Sequence, residues 1–286
     1  MQSEDRSCCA KGDAAARQPE EIKEFLKERY GGLVADRGED SCCAATGDEV
    51  DAKVALSSGY TEEQLVQVPE HAAAYAFGCG NPVALAGIEP GQTVLDIGSG
   101  AGIDVFLAAS KVGPKGRVIG LDLTPEMIEA AKQNAAQAGI ENVEFRLGDA
   151  EDIPVESGSV DWIISNCVIN LAPDKEEVFR EAYRVLRSGG RVLISDIVTR
   201  DLPEEVRRSA KAWAGCIAGA VEEETYLEAM RRAGFSEVEV VARVDYDEDT
   251  IRAWLAGADD LLADSAVISQ ALGGRISSIK VGAVKE

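Results

Sequence analysis

The sequence is poor in histidine, in aromatic residues and in positive charge. It has one histidine, 5% aromatic residues, and 29 basic against 51 acidic residues, which gives a formal net charge of −22 at pH 7. A surface of this charge repels nucleic-acid phosphates and anionic membranes, so we expect neither as a partner. The chain also lacks a run of about 20 apolar residues, so we expect no transmembrane helix.

The first residues of the chain lack the apolar segment of a secretory signal. Residues 1–16 are polar and acidic, which predicts a cytoplasmic protein. The chain has seven cysteines. In a reducing compartment, cysteines serve more often as thiols, ligands or redox groups than as structural disulfides.

The chain falls into a weakly patterned N-terminal part and a regular remainder. Residues 1–55 contain two cysteine pairs, Cys8-Cys9 and Cys42-Cys43, in stretches rich in small and acidic residues. Between the pairs, Glu20 to Tyr30 has the apolar spacing of an amphipathic helix, which we expect to end at Gly31-Gly32. We therefore predict a flexible cysteine-containing arm over residues 1–55, followed by one domain over residues 56–286.

Beyond Gly91, short apolar strands alternate with helices, which predicts an α/β fold with a Rossmann-like, mostly parallel sheet. The last of the predicted strands ends the chain, so we expect an antiparallel C-terminal strand. The predicted strands are 93–97, 117–121, 143–147, 160–165, 191–198, 237–244 and 276–284. The predicted helices include 101–111, 125–138 and 174–186.

A glycine-rich turn follows the first of these strands, in the segment Val94 to Gly102. Its spacing, G-x-G-x-G, differs from the dinucleotide fingerprint, which has its third glycine at the position of Ile103. Strand, turn and helix in this order are typical of a nucleoside-containing cofactor site. The alternative is that the glycines only permit close packing between strand and helix.

Acidic residues at the ends of three successive strands favour a cationic cofactor without a pyrophosphate, S-adenosylmethionine. We predict that Asp96 serves the positive end of the cofactor and Asp122 the ribose hydroxyls. Asp149, with Ala150 and Glu151, is predicted at the adenine edge. Met127 is predicted either to contact the adenine or to pack in the core. The full predicted cofactor set is Asp96, Gly98, Ser99, Gly100, Gly102, Asp122, Leu123, Met127, Asp149, Ala150, Glu151 and Asn166.

Cysteines stand at two further positions that suggest a ligand site. Cys167 follows the fourth strand, at the sheet edge where ligands bind, and Cys79 stands between two glycines. Each of these cysteines could instead be a small buried hydrophobe. With the segments Phe77–Pro82, Ser165–Lys175, Ser195–Ile197 and Gly215–Ala220, the chain resembles the arsenite methyltransferases, a group of class I S-adenosylmethionine-dependent methyltransferases. The resemblance covers about residues 55–245.

The resemblance implies that Cys79, Cys167 and Cys216 bind trivalent arsenic, with arsenite and methylarsenite as substrates. It also implies that Cys42 or Cys43 forms a disulfide with Cys79 during the reaction, which a thiol reductant of thioredoxin or glutathione type then reopens. Cys8 and Cys9 receive no role. The lone pair of arsenic can attack a methyl group without a general base, so the single histidine, His71, receives no catalytic role either.

Two other functions compete with this interpretation. A small-molecule C- or O-methyltransferase of the quinone-biosynthesis type needs a base or an aromatic pocket, and the low aromatic content counts against it. A thiol-based protein that sequesters metalloids would need no cofactor, and the intact glycine turn counts against that. Consumption of S-adenosylmethionine with arsenite, with a quinol or with neither separates the three.

Overall fold

The computed structural model describes residues 18–38, 55–56, 58–75, 78–201, 219–251 and 272–286. Its strands are β1 (Thr93–Ile97), β2 (Arg117–Asp122), β3 (Val143–Leu147), β4 (Val160–Asn166), β5 (Leu186–Thr199), β6 (Ser236–Asp245) and β7 (Ile276–Val284). Its helices are α1 (Pro19–Gly38), α2 (Glu62–Leu65), α3 (Glu70–Ala73), α4 (Pro82–Leu85), α5 (Ile103–Val112), α6 (Pro125–Ala138), α7 (Lys175–Val185) and α8 (Glu223–Ala233).

The seven strands form one sheet in the order β3-β2-β1-β4-β5-β7-β6. The pairs from β3 to β5 are parallel. Strand β7 lies between β5 and β6 and is antiparallel to both. This confirms the predicted α/β fold with an antiparallel C-terminal strand, and it brings the ends of β1, β2 and β4 to one edge.

Apolar side chains cover both faces of the sheet. Leu95 and Ile163 belong to a buried cluster that includes Phe179 of α7 and Tyr226 of α8. The neighbouring strand residue Val94, which points to the opposite face, belongs to a second cluster with side chains of α5 and α6. Helix α6 begins with Pro125 and is followed by Gly139, whose φ is 65°, as its start and stop signals predict.

The prediction that α1 ends at Gly31-Gly32 is wrong, because the helix continues to Gly38. Helix α1 packs against α6. A Cβ atom at Gly31 would lie 2.9 Å from Glu126 Oε2, so a glycine permits this close approach. Tertiary contact thus overrides the low helix propensity of glycine. This stretch of the predicted arm packs onto the domain rather than lying apart from it.

Strand β5 begins at Leu186 and not at residue 191. Val160 pairs with Leu186, whereas Trp162 pairs with Arg191, so the register between β4 and β5 shifts by an irregularity. Gly189 lies within this irregularity with a φ of 76°. Helix α7 ends at Val185, directly before β5. At its start, Asp174 caps the helix by accepting a hydrogen bond from Glu177 N.

Helices long and apolar enough to cross a membrane do not occur in the described part of the chain.

Candidate functional site

The turn after β1 is fixed by hydrogen bonds to the end of β2. Gly98 N and Ser99 N both donate to Leu121 O, at 2.7 and 2.9 Å, and Gly100 N donates to Asp122 Oδ2 at 2.8 Å. Gly98 has a φ of 78°, and a Cβ atom there would lie 2.1 Å from Val168 Cγ2. Only glycine satisfies both conditions, so the turn runs close beneath the segment that follows β4.

A cavity with about 1080 Å³ of empty space, part of it open to solvent, lies over the carboxyl ends of β1, β2 and β4. Ten of the twelve predicted cofactor residues line it: Asp96, Gly98, Ser99, Gly100, Asp122, Leu123, Met127, Asp149, Ala150 and Asn166. The other two, Gly102 and Glu151, are not among the residues that line the cavity. Gly102 precedes α5, where a Cβ atom would lie 2.8 Å from Phe106 Cε2. Glu151 binds Lys23 and accepts from Asp174 N.

Two buried carboxyl groups, those of Asp96 and Asp104, and the partly buried carboxyl group of Asp122 meet at this cavity. Burial, together with the charges of Asp104 and Asp122, raises the pKa of Asp96 well above its usual range. Burial also raises the pKa of Asp104 to about 6. For Asp122, burial raises the pKa against the opposing effect of hydrogen bonds from Thr124 and Gly100. A cationic ligand would relieve this concentration of negative charge.

Asp104 is a cavity residue that the sequence did not indicate. Its Oδ2 accepts hydrogen bonds from Tyr60 Oη at 3.0 Å and Asn166 Nδ2 at 3.2 Å. Its Oδ1 is buried and has no hydrogen-bond partner among the described residues. An unpaired buried oxygen costs stability, so it marks a place for a ligand's donor. The one sequence signal is an acidic residue in the first turn of an otherwise apolar helix, α5.

Helix α1 supplies one wall of the cavity through Lys23, Leu26 and Tyr30. Lys23 Nζ lies 2.7 Å from Asp149 Oδ2 and also pairs with Glu151. Partial burial lowers the pKa of Lys23, but the hydrogen bonds to these two carboxylates outweigh burial and raise it. The acidic pair predicted at the adenine edge is therefore neutralised in part by a lysine that sequence reasoning did not place there.

Asn166, at the end of β4, fixes the loop that carries Cys79. Its Oδ1 accepts from Gly80 N at 3.2 Å, and its Nδ2 donates to Gly80 O at 2.6 Å and to Tyr60 Oη at 3.0 Å. A Cβ atom at Gly78 would lie 2.3 Å from Asn166 Cγ. Asn166 thus both lines the cavity and holds the neighbouring loop, and the glycine beside Cys79 permits the contact.

The two described cysteines, Cys79 and Cys167, share one apolar cluster. Cys167 is buried there, and Cys79 and Tyr246 pack against the same cluster. The other members are Ile197, Ala220, Ile251, Leu272 and Ile276. Cys167 also lines the cofactor cavity. The structure therefore brings Cys79 and Cys167 together at the border of the cavity.

A buried polar network supports the segment after Cys167. Asp196 accepts from Asn170 N at 3.1 Å, from Asn170 Nδ2 at 2.8 Å and from Tyr226 Oη at 3.1 Å. Burial raises the pKa of Asp196 to about 7. Lys175 Nζ donates to the carbonyl oxygens of Asn170 and Ala172. These bonds fix the turn between β4 and α7.

The remaining predicted thiols lie outside the described residues. They are Cys42, Cys43 and Cys216, together with the unassigned Cys8 and Cys9. Within the described ranges, no group of three or more histidine, cysteine, aspartate or glutamate side chains is placed to hold a metal ion.

Comparisons with known proteins agree on a methyltransferase. A family model described as a methyltransferase domain matches residues 88–234. The arsenite methyltransferase of Halobacterium salinarum is 46% identical over 257 residues, covering 86% of this chain and 65% of that protein. The arsenite methyltransferase of Homo sapiens is 34% identical over 220 residues, covering 72% and 56%. The chain therefore spans about two thirds or less of the length of these curated relatives.

A solved structure shows the same similarity. It is the crystal structure of an arsenic(III) S-adenosylmethionine methyltransferase from Chlamydomonas reinhardtii, with 33% sequence identity and a TM-score of 0.62. The match covers 82% of this chain and 73% of that one.

Proposed function

Because the chain belongs to the arsenite methyltransferase family, we propose that it transfers methyl groups from S-adenosylmethionine to trivalent arsenic bound by cysteine thiolates. Arsenite and methylarsenite are the proposed substrates. The observation that carries the proposal is the position of Cys167, which lines the cofactor cavity and belongs to the apolar cluster against which Cys79 packs. A substrate held by these thiols would lie at the border of the cofactor cavity.

The residues of the cavity fit S-adenosylmethionine. When bound, this cofactor supplies an electrophilic methyl group on a cationic sulfonium. Asp96 and Asp104 present buried carboxyl groups with raised pKa values. Asp104 Oδ1 could accept a hydrogen bond from the bound cofactor. Asp122 would hold the ribose hydroxyls. Asp149 and the backbone at Ala150 would hold the adenine, at the side of the cavity that Lys23 of α1 also lines.

The thiols suit the proposed substrate. Trivalent arsenic is soft, so thiolates are its expected protein ligands. Cys79 and Cys167 supply two of them, and the family resemblance assigns the third to Cys216.

Apolar side chains surround Cys167 and contact Cys79. The cluster is formed by aliphatic side chains, with Tyr246 beside them, so a bound substrate would be poorly hydrated. The lone pair on arsenic is the nucleophile, and the step removes no proton. The contribution of the protein is therefore to hold the substrate and to orient it toward the cofactor cavity.

The redox half of the proposal concerns the arm. Methyl transfer formally oxidises arsenic from the trivalent to the pentavalent state. Two thiols that close a disulfide return two electrons to arsenic, and a thioredoxin- or glutathione-type reductant of the cytoplasm then reduces the disulfide by exchange. We assign the thiols to Cys79 and to Cys42 or Cys43. A variant that lacks both Cys42 and Cys43 should stop after about one turnover, and unchanged multiple turnover would disprove this assignment.

The test of the proposed reaction measures S-adenosylhomocysteine formed by the purified protein with arsenite, with a quinol or with neither, in excess thiol. Formation that depends on arsenite supports the proposal. Formation with the quinol alone would favour a small-molecule methyltransferase. Binding of arsenite without formation of S-adenosylhomocysteine would favour sequestration.

A further inference from the structure

We propose that Ser195 is a positioning residue that sets the arrangement of the Cys79 and Cys167 thiols. This inference rests on the proposed function, because it concerns how the two thiols hold one trivalent arsenic atom. Ser195 lies on β5 and is fully buried. It contacts both cysteines, one through its side chain and the other through its main chain.

The side-chain contact is with the sulfur of Cys79. Ser195 Oγ lies 3.8 Å from Cys79 Sγ, within hydrogen-bonding range for sulfur. The Cys79 loop lies close to this hydroxyl, since a Cβ atom at Gly80 would lie 2.1 Å from Ser195 Oγ and 3.0 Å from Ser195 Cβ. Ser195 Oγ is therefore within reach of the Cys79 sulfur, and a hydroxyl can donate a hydrogen bond to a thiolate.

The main-chain contact is with Cys167. Cys167 N donates to Ser195 O at 2.8 Å. This bond holds Cys167 at a φ of 63°, a left-handed conformation that residues other than glycine rarely adopt. A single residue on a central strand therefore fixes the backbone that carries one thiol and the sulfur of the other.

A second serine provides a matched comparison. Ser278 lies on β7 and is also buried. Its Oγ donates to Cys79 O at 3.0 Å, so it contacts the main chain of the loop and not the sulfur. Removal of this hydroxyl loosens the loop while the Ser195–Cys79 contact stays.

The experiment compares the full chain with Ser195→Ala, Ser278→Ala and Ser195→Thr. The probe is phenylarsine oxide, a trivalent arsenical that binds two thiols. Its titration is read from the protection of Cys79 and Cys167 against iodoacetamide, resolved for each cysteine by peptide mass spectrometry. Alkylation rates without the probe measure the exposure of each thiol singly. Urea unfolding of each variant reports on the fold.

We expect Ser195→Ala to raise the half-protecting concentration about tenfold, equivalent to ~1.4 kcal/mol. We expect Ser278→Ala to raise the half-protecting concentration less than about threefold, an effect smaller than the loss of one typical hydrogen bond. We expect Ser195→Thr to keep the wild-type value because it retains the hydroxyl. Equal effects of the two alanine variants, or a Thr variant as weak as Ser195→Ala, would overturn the proposal. If Ser195→Ala does not fold, Ser195→Gly, which also lacks the hydroxyl, takes its place in the same comparison.

Failure of the proposed function gives a different result. If wild-type Cys79 and Cys167 are not protected at all, these cysteines do not form an arsenic site. If they are protected equally in the wild type and in Ser195→Ala, the arsenic site stands and only the role of Ser195 is wrong.

Discussion

Gly78→Ala tests the contact between the Cys79 loop and the end of β4. A methyl group at this position would lie 2.3 Å from both Cγ and Nδ2 of Asn166 and 2.4 Å from its Oδ1. The Asn166 amide is held by Gly80, Tyr60 and Asp104, so it can move only by breaking these bonds. The change therefore acts on the loop and on the cavity together.

The expected loss in the free energy of unfolding is roughly 2 to 4 kcal/mol. Overpacking costs about 1 to 3 kcal/mol, and each broken hydrogen bond adds about 1 kcal/mol. Gly78 does not have a positive φ, so backbone strain adds nothing to this figure.

The matched control for Gly78→Ala is Gly87→Ala. A Cβ atom at Gly87 would lie 3.6 Å from Trp162 Cζ2, an ordinary contact, and Gly87 also lacks a positive φ. Urea unfolding gives the stability of both variants, and calorimetric titration with S-adenosylhomocysteine gives the affinity of the cavity. We expect Gly87→Ala to change stability by less than about 0.5 kcal/mol. If Gly78→Ala matches that control in stability and in affinity, Asn166 does not hold the loop as described.

Three further perturbations act on charge. Asp104→Asn should weaken S-adenosylmethionine binding about tenfold, because an amide cannot neutralise a cation; unchanged affinity in a calorimetric titration would place the ligand elsewhere. Lys23→Ala should speed hydrogen exchange in α1, whereas Lys27→Ala, one turn later, should not; equal exchange in both variants would contradict the role of the ion pairs. For Asp196, burial raises the pKa from 3.8 to about 7, so the folded protein keeps a proton that the unfolded chain releases between those values. Stability should fall as the pH rises through this window. Asp196→Asn should reduce that slope in urea unfolding between about pH 4 and about pH 7, and an unchanged slope would show that Asp196 does not contribute to it.

Much of the fold is predictable from local patterns. The strands from β1 to β4 and the helices between them follow from short apolar runs, and Pro125 and Gly139 mark the two ends of α6. The start of β5 and the extent of α1 are not predictable in this way. The first depends on a register irregularity with β4, and the second on the contact between Gly31 and Glu126. Both are long-range interactions.

The same division applies to the candidate site. The glycine turn and the acidic strand ends predict a set of residues of which most line one cavity, because the ends of neighbouring parallel strands meet at one edge. Lys23, Asp104 and Ser195 were not predicted as site residues. Each acquires its place through a partner distant in sequence, respectively Asp149, Tyr60 and Cys79. The spacing of residues along the sequence does not predict those pairings.

We propose that Cys167 holds arsenic beside a methyl donor. The most direct measurement is the speciation of arsenic after incubation of the purified protein with arsenite, S-adenosylmethionine and excess thiol, for the wild type and for Cys167→Ser. We predict methylated arsenic from the wild type and none from the variant, with S-adenosylhomocysteine bound equally by both. Absence of methylated arsenic from a folded wild-type protein that binds the cofactor would contradict the proposed reaction, and equal methylation by both proteins would contradict the role of Cys167.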